Sequence, residues 1–160
     1  KIRKPVEFTT NPWNIGDVYA YQFHTERAAE NNLLGKYIIF QKVADALLVD
    51  NRYERIYTMV QIFDCIFDSI PSLDMLDGIR ILPIAGPVYK NKSGVQLGLV
   101  TTMLYLKKPH YPKNHMTFIG NKSVPNKEYK GCWNFSEFWA KDHMETWLID
   151  YYLMWRNVEY

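Results

Sequence analysis

Three scarcities bound the problem before any motif is sought. The 160 residues contain two cysteines, Cys65 and Cys132, too few for the disulfide framework of a small secreted domain, so two buried thiols in a reducing cytoplasm are the expectation. Charge of one sign is scarce as well: 19 Lys and Arg against 17 Asp and Glu leave a formal +2, which does not by itself call for nucleic acid or an acidic membrane as partner. Apolar residues never run for the 18 positions that a transmembrane helix needs, and Lys1-Ile2-Arg3-Lys4-Pro5 lacks a signal peptide's apolar stretch, so no membrane partner is expected.

Catalytic signatures are scarce in the same way. The chain has no phosphate-cradling glycine loop, no dinucleotide fingerprint, no His-Glu-x-x-His, no Cys-x-x-Cys and no Gly-x-Ser-x-Gly elbow. This points away from an enzyme, with no catalytic residue, cofactor or metal. His110 and His115 flank a proline-rich turn without cysteine partners and read as solvated loop histidines. Cys132, beside Trp133, reads as a structural thiol, and His143 as a packed histidine on a helix.

Aromatic residues are what the chain has in plenty. They make up 16%, with 12 Tyr, 8 Phe and 5 Trp, and supply large contact area at low rotamer cost. Together with a length near that of one ordinary domain, this predicts a single domain over 1–160 with one sizeable core.

The pattern along the chain predicts an α+β fold: a curved, mainly antiparallel sheet of five or six strands, open or barrel-like, with a C-terminal aromatic helix. Turn residues Pro12 to Asp17 lead into a strand over Val18–Phe23, where Asp17 is expected to cap the turn. A short helix follows within Thr25–Leu34, closed by Gly35. Lys36–Val43 reads as a doubly covered strand, and Arg55–Phe67, apolar on both faces and rich in β-branched residues, as a long central one. Ser72 can cap a short turn through Leu76, and Pro83 makes Ile79–Ile84 an edge or a bulge. Asn91–Gly94 is a loop, Val95–Leu106 a long strand with a bend at Gly98, and His115–Gly120 a short final strand. Asn134 with Glu137 has the form of a capping box. The helix it starts runs to about Trp155 and packs a stripe of Phe135, Phe138, Trp139, Thr146, Trp147, Tyr151 and Met154 on the sheet, leaving Glu137, Lys141, Glu145 and Arg156 outside.

The two charge signs are segregated. Asp45 to Asp77 holds seven acids against two arginines, net −5, whereas Leu104 to Lys130 holds six lysines against one glutamate, net +5. Sign-separated surfaces steer protein encounter. Asp68, Asp74 and Asp77, which follow the central strand, are the candidate partner-binding residues, with Asp64 expected to be internal. The alternative is the basic face of Lys107, Lys108 and Lys113, which would suit an acidic partner; in a second reading the Lys107–Lys130 region tracks the phosphates of a nucleic acid beside Tyr105, Tyr111 and Tyr129. A small-ligand pocket lined by Tyr and Trp inside a barrel is the third reading.

Trp13-Asn14-Ile15-Gly16-Asp17-Val18-Tyr19-Ala20-Tyr21, followed by Gly35-Lys36-Tyr37-Ile38-Ile39-Phe40-Gln41-Lys42-Val43, resembles the opening of the bacterial immunity protein 26-like families. The resemblance covers about 30 residues and implies a small cytoplasmic protein that neutralises a cognate protein toxin. Gly-Asp-Val strands also open SH3-like barrels of several kinds. No functional residue is implied beyond the Gly16-Asp17 turn.

Overall fold

A computed structural model describes residues 13–49, 54–90, 96–98, 101–105, 116–124, 135–138 and 141–157. The fold is α+β. Strands β1 (Asp17–Gln22), β2 (Tyr37–Val49) and β3 (Glu54–Ile62) form an antiparallel meander, with helix α1 (Glu26–Glu30) inserted between β1 and β2. A 3-10 turn (Leu73–Leu76) follows β3, then β4 (Ile84–Lys90), β5 (Gln96–Gly98), β6 (Thr101–Tyr105), β7 (Thr117–Asn121), β8 (Phe135–Phe138) and α2 (Lys141–Trp155).

Six of the strands make one sheet in the order β7-β1-β2-β3-β6-β8, and β4 pairs with β5 in a separate ladder. All pairings in the large sheet are antiparallel except that of β6 with β8. Its outer strands β7 and β8 are not neighbours, so among the described residues the sheet is open. Register shifts between Val18 and Tyr19 and between Lys42 and Ala44 mark where the ladders kink.

Alternation along β1 sorts side chains into two cores. Tyr19 and Tyr21 join Trp13, Phe23, Ile38, Phe40, Val60 and Ile62 on the face that α2 covers with Met144, Leu148, Ile149 and Trp155. Val18 and Ala20 join Ile39, Phe63 and Leu76 on the opposite face. The larger core is the aromatic one: Trp13 stacks on Tyr19 at 4.5 Å between ring centroids, and Tyr21 meets Phe23 edge-on at 5.9 Å. Rings of this size dominate core energetics, so this face holds α2 in place.

Several expectations need correction. Phe135–Phe138 is not the start of a helix but strand β8, and α2 begins at Lys141. The parallel ladder from Thr102–Phe135 to Tyr105–Phe138 takes up backbone groups on one side of this segment, so tertiary pairing overrides the local capping signal. Asn134, the expected cap, lies outside the described residues. The buried stripe of α2 is also rotated: Met144, Glu145, Leu148, Ile149 and Trp155 are buried, Thr146 and Met154 are exposed, and Trp147 and Tyr151 are half-buried with centroids 4.4 Å apart. Following the rings placed the stripe too far round the helix, because Glu145 on the inward face carries no hydrophobic signal.

The expected strand over Val95–Leu106 is two strands in different ladders, and β5 ends at Gly98, where the missing side chain weakens a strand. Gly35 does not cap α1, which ends before Asn31. At φ 77° it turns the chain into β2 and donates its N–H to the Phe23 carbonyl. The central strand ends at Ile62, beyond which Phe63 and Phe67 make only isolated bridges to Ile81 and Tyr37. The expected final strand is the edge strand β7, and β8 follows it. The Asn91–Gly94 loop lies outside the described residues.

Candidate functional site

The segment after β3 is clamped at both ends. Phe67 and Tyr37 exchange backbone hydrogen bonds of 2.8 and 3.0 Å, and Leu76 at the end of the 3-10 turn is 1% exposed. Between the clamps Pro71 is buried and Leu73 packs against the smaller core, while 68–70, 72, 74 and 75 are exposed. Asp68 is exposed, with Lys36 Nζ 3.5 Å from its carboxylate. Asp74 sits in the exposed first turn of the 3-10 helix, and Asp77, whose N–H donates to the Asp74 carbonyl at 3.2 Å, is paired with Lys122. Ile70 and Met75, at 43% and 56% exposure, lie among these acids. The three predicted carboxylates and two exposed apolar side chains therefore share one stretch of the chain, residues 68–77. Solvent-exposed pairs such as Lys36–Asp68 hold little energy, so a partner's cation can compete for either acid.

Two other acids of this region, Asp64 and Asp45, are engaged elsewhere. Asp64, its side chain 8% exposed, accepts from Arg80 Nε at 2.5 Å, the internal position expected of it. Asp45 binds Lys42 Nζ at 2.7 Å, and that buried amine also donates to the Trp13 carbonyl at 2.7 Å. Cys65 is a free, half-buried thiol, pushed up from the ordinary thiol range first by burial and then by the Asp64 charge beside it. Such a thiol is a poor nucleophile at neutral pH. Lys107, Lys108 and Lys113 lie outside the described residues, as do Cys132, His110, His115, Tyr111 and Tyr129.

Asp17 has the turn role expected of it. Its carboxylate accepts from the Asn14 N–H and from Asn121 Nδ2, each at 3.0 Å. Gly16 stands at φ 93° because its N–H donates to the Lys42 carbonyl and its own carbonyl accepts from the Lys122 N–H, at 2.8 and 3.0 Å. Gln41 completes the corner, donating to the Lys122 carbonyl at 2.7 Å while accepting from Gln61 Nε2 at 2.7 Å.

A second cluster was missed by the pattern reading. Glu145 is wholly buried where α2 crosses the start of α1. One carboxylate oxygen accepts from the Tyr21 hydroxyl at 2.9 Å and the His24 N–H at 2.8 Å, and the other accepts from the Thr25 N–H at 2.8 Å. A buried carboxylate is tolerable only with such compensation. Thr25 in turn caps α1 by accepting from the Ala28 N–H at 3.2 Å. His24 lies between Glu145 and Asp142, with one ring nitrogen toward each. With both nitrogens engaged, neither is directed at a substrate, and the cluster works as a clamp between helices. The available signal was local: Glu145 is bracketed by Met144, Leu148 and Ile149, and a lone charge among apolar residues at those helical spacings is a candidate for burial with partners.

Among the described residues no group of His, Cys, Asp and Glu is arranged to hold a metal ion, and no helix is long and apolar enough to cross a membrane. No protein-family model, curated protein or solved structure matches the chain.

Proposed function

We propose that this chain is a non-catalytic protein-binding module whose partner docks on the surface between Asp68 and Asp77. The observation that carries the reading is the exposure of Ile70 and Met75 among three carboxylates, on a segment whose ends are held by Phe67 and Leu76. Apolar centres with polar rims are the anatomy of protein interfaces. A segment already ordered before binding avoids much of the entropy cost of association. The carboxylates select a basic partner, because complementary charge speeds encounter and disfavours like-charged competitors. The resemblance of Trp13–Tyr21 and Gly35–Val43 to the immunity families makes that partner a bacterial protein toxin with a basic cleft, met in the cytoplasm.

The test is capture from an extract of the native host with three baits side by side: the unchanged chain, Met75→Asp, and the double reversal Asp74→Lys with Asp77→Lys. A basic protein retained by the first and lost by the other two is the expected result. Equal retention by all three refutes this surface. Loss on reversal of Lys107 and Lys108 instead moves the interface to the basic face, and RNA bound with steep salt dependence replaces the reading with nucleic-acid binding.

A further inference from the structure

Strand β7 bounds one side of the large sheet, and among the described residues no strand pairs with its outer edge. Alternation shows which groups line that edge. Phe23 donates its N–H to the Lys36 carbonyl, so the backbones of Tyr21 and Tyr19 turn to β2, and Phe118, opposite Tyr19, has its own N–H and carbonyl outward. Lys122 donates its N–H to the Gly16 carbonyl and accepts from Gln41, so those of Asn121, one residue back, are outward as well. Such a row is a template for another strand, and natural edges are often closed to pairing by charge or proline. The opposite edge, β8, carries Glu137; Thr117–Asn121 carries neither device.

The docking segment lies against this strand. A Cβ at Gly120 would stand 2.8 Å from Leu73 Cδ1, so the 3-10 turn rests directly on β7. Just past the strand Lys122 pairs with Asp77, and Asp74 stands one turn back. Toward the α2 face Phe118, 54% exposed, leans on Tyr19 with ring centroids 5.4 Å apart. We propose that the partner adds a strand of its own to β7, an extended basic segment whose backbone pairs with the edge and whose alternate side chains meet Asp77 and Asp74 on one face and Phe118 on the other. This rests on the reading of residues 68–77 as the docking surface and adds how the partner lies on it. The charge of the added strand follows from Lys122, whose ammonium already occupies Asp77 in an exposed pair that an incoming lysine or arginine can replace. Main-chain pairing supplies affinity in this mode, and alternate side chains supply specificity. With five residues and a register shift beside Val18 and Tyr19, β7 takes only a short strand.

The test titrates the full chain with a short synthetic peptide of alternating lysine and valine, the same peptide N-methylated throughout, and an alternating glutamate–valine peptide. Amide hydrogen exchange at Phe118 and Asn121 should slow with the first peptide alone. N-methylation should weaken binding about tenfold, the worth of one or two lost hydrogen bonds. Phe118→Lys, a charge of the kind that closes natural edges, should remove the slowing, with the urea midpoint measured alongside to show that the chain is folded. Equal affinity for the methylated and unmethylated peptides overturns strand addition and leaves the acidic surface standing. No binding of the lysine peptide, or equal binding of the glutamate peptide, overturns the proposal too, while capture from the host extract judges residues 68–77 separately. Phe118 and Asn121 amides already slow to exchange in the free monomer place another segment of this chain on the edge, and a dimer dispersed by Phe118→Lys places a second copy there. Either result overturns the proposal.

Discussion

Glu145 and Asp74 are both carboxylates on helical segments, and each has an apolar neighbour, Met144 or Met75. Glu145 is wholly buried with donors from Tyr21, His24 and Thr25 aimed at it, whereas Asp74 stands exposed on a 3-10 turn. The fold needs the first and not the second. An acid that the fold does not need is available to a partner, and an acid wrapped in donors is not, whatever the local charge total says.

The largest effect expected from this contrast is at Glu145. Glu145→Leu leaves the Tyr21 hydroxyl and two backbone N–H groups facing an apolar side chain and should destabilise the chain by about 3–5 kcal/mol, as breaking a buried ionic cluster does. Urea denaturation with an unchanged m-value would measure it. Glu145→Gln keeps an acceptor oxygen and should cost less. A cost below about 1 kcal/mol for Glu145→Leu, the usual range of an exposed pair, would erase the distinction between the two regions.

Packing on the same helix ranks next. Leu148 is 1% exposed and Trp147 half-buried. Leu148→Ala should cost about 2–5 kcal/mol through lost burial and the cavity left behind. Trp147→Ala should cost less than Leu148→Ala, the reverse of the ranking by side-chain size. If the tryptophan proves the costlier, the inward face of α2 is the one that its aromatic rings suggested.

Gly16→Ala comes third. A Cβ at Gly16 would stand 2.8 Å from the Lys122 carbonyl, with the backbone at φ 93°. The neighbour is backbone fixed by its own hydrogen bonds, so the strain cannot relax cheaply, and a loss of about 1–3 kcal/mol is expected in thermal or urea unfolding.

These residues also show which parts of the molecule were legible in the sequence. Strand β1 and the start of β2 were read to within one residue, because Gly16-Asp17 turn chemistry and β-branched, aromatic runs are local signals, whereas β2 runs on past the expected Val43 to Val49, paired there with β3. The Asp17 turn and the exposure of Asp68, Asp74 and Asp77 were legible for the same reason. Strand β8 was not: Phe135–Phe138 carries a helix cap pattern, and only its partner β6, far away in sequence, makes it a strand. The Glu145 clamp was hidden similarly, since Tyr21, His24 and Thr25 lie more than a hundred residues from it. Hydrophobic periodicity can mark Glu145 as a charge on the apolar face of α2, but it cannot name partners that remote.

The smallest expected effect is the one on which the proposed interface depends. Reversing Asp74 and Asp77 to Lys removes one exposed pair with Lys122 and places new cations on the surface. Neither position contributes to a core, and the backbone hydrogen bond from the Asp77 N–H to the Asp74 carbonyl does not depend on side-chain charge. Stability should therefore change by about 0.5 kcal/mol or less, the usual range for surface substitutions. Far-ultraviolet circular dichroism and the urea midpoint should match those of the unchanged chain, while association with a basic partner slows and loses salt sensitivity. Should the double reversal unfold the chain, these acids serve the fold as Glu145 does, and loss of binding in that variant would no longer speak for an interface.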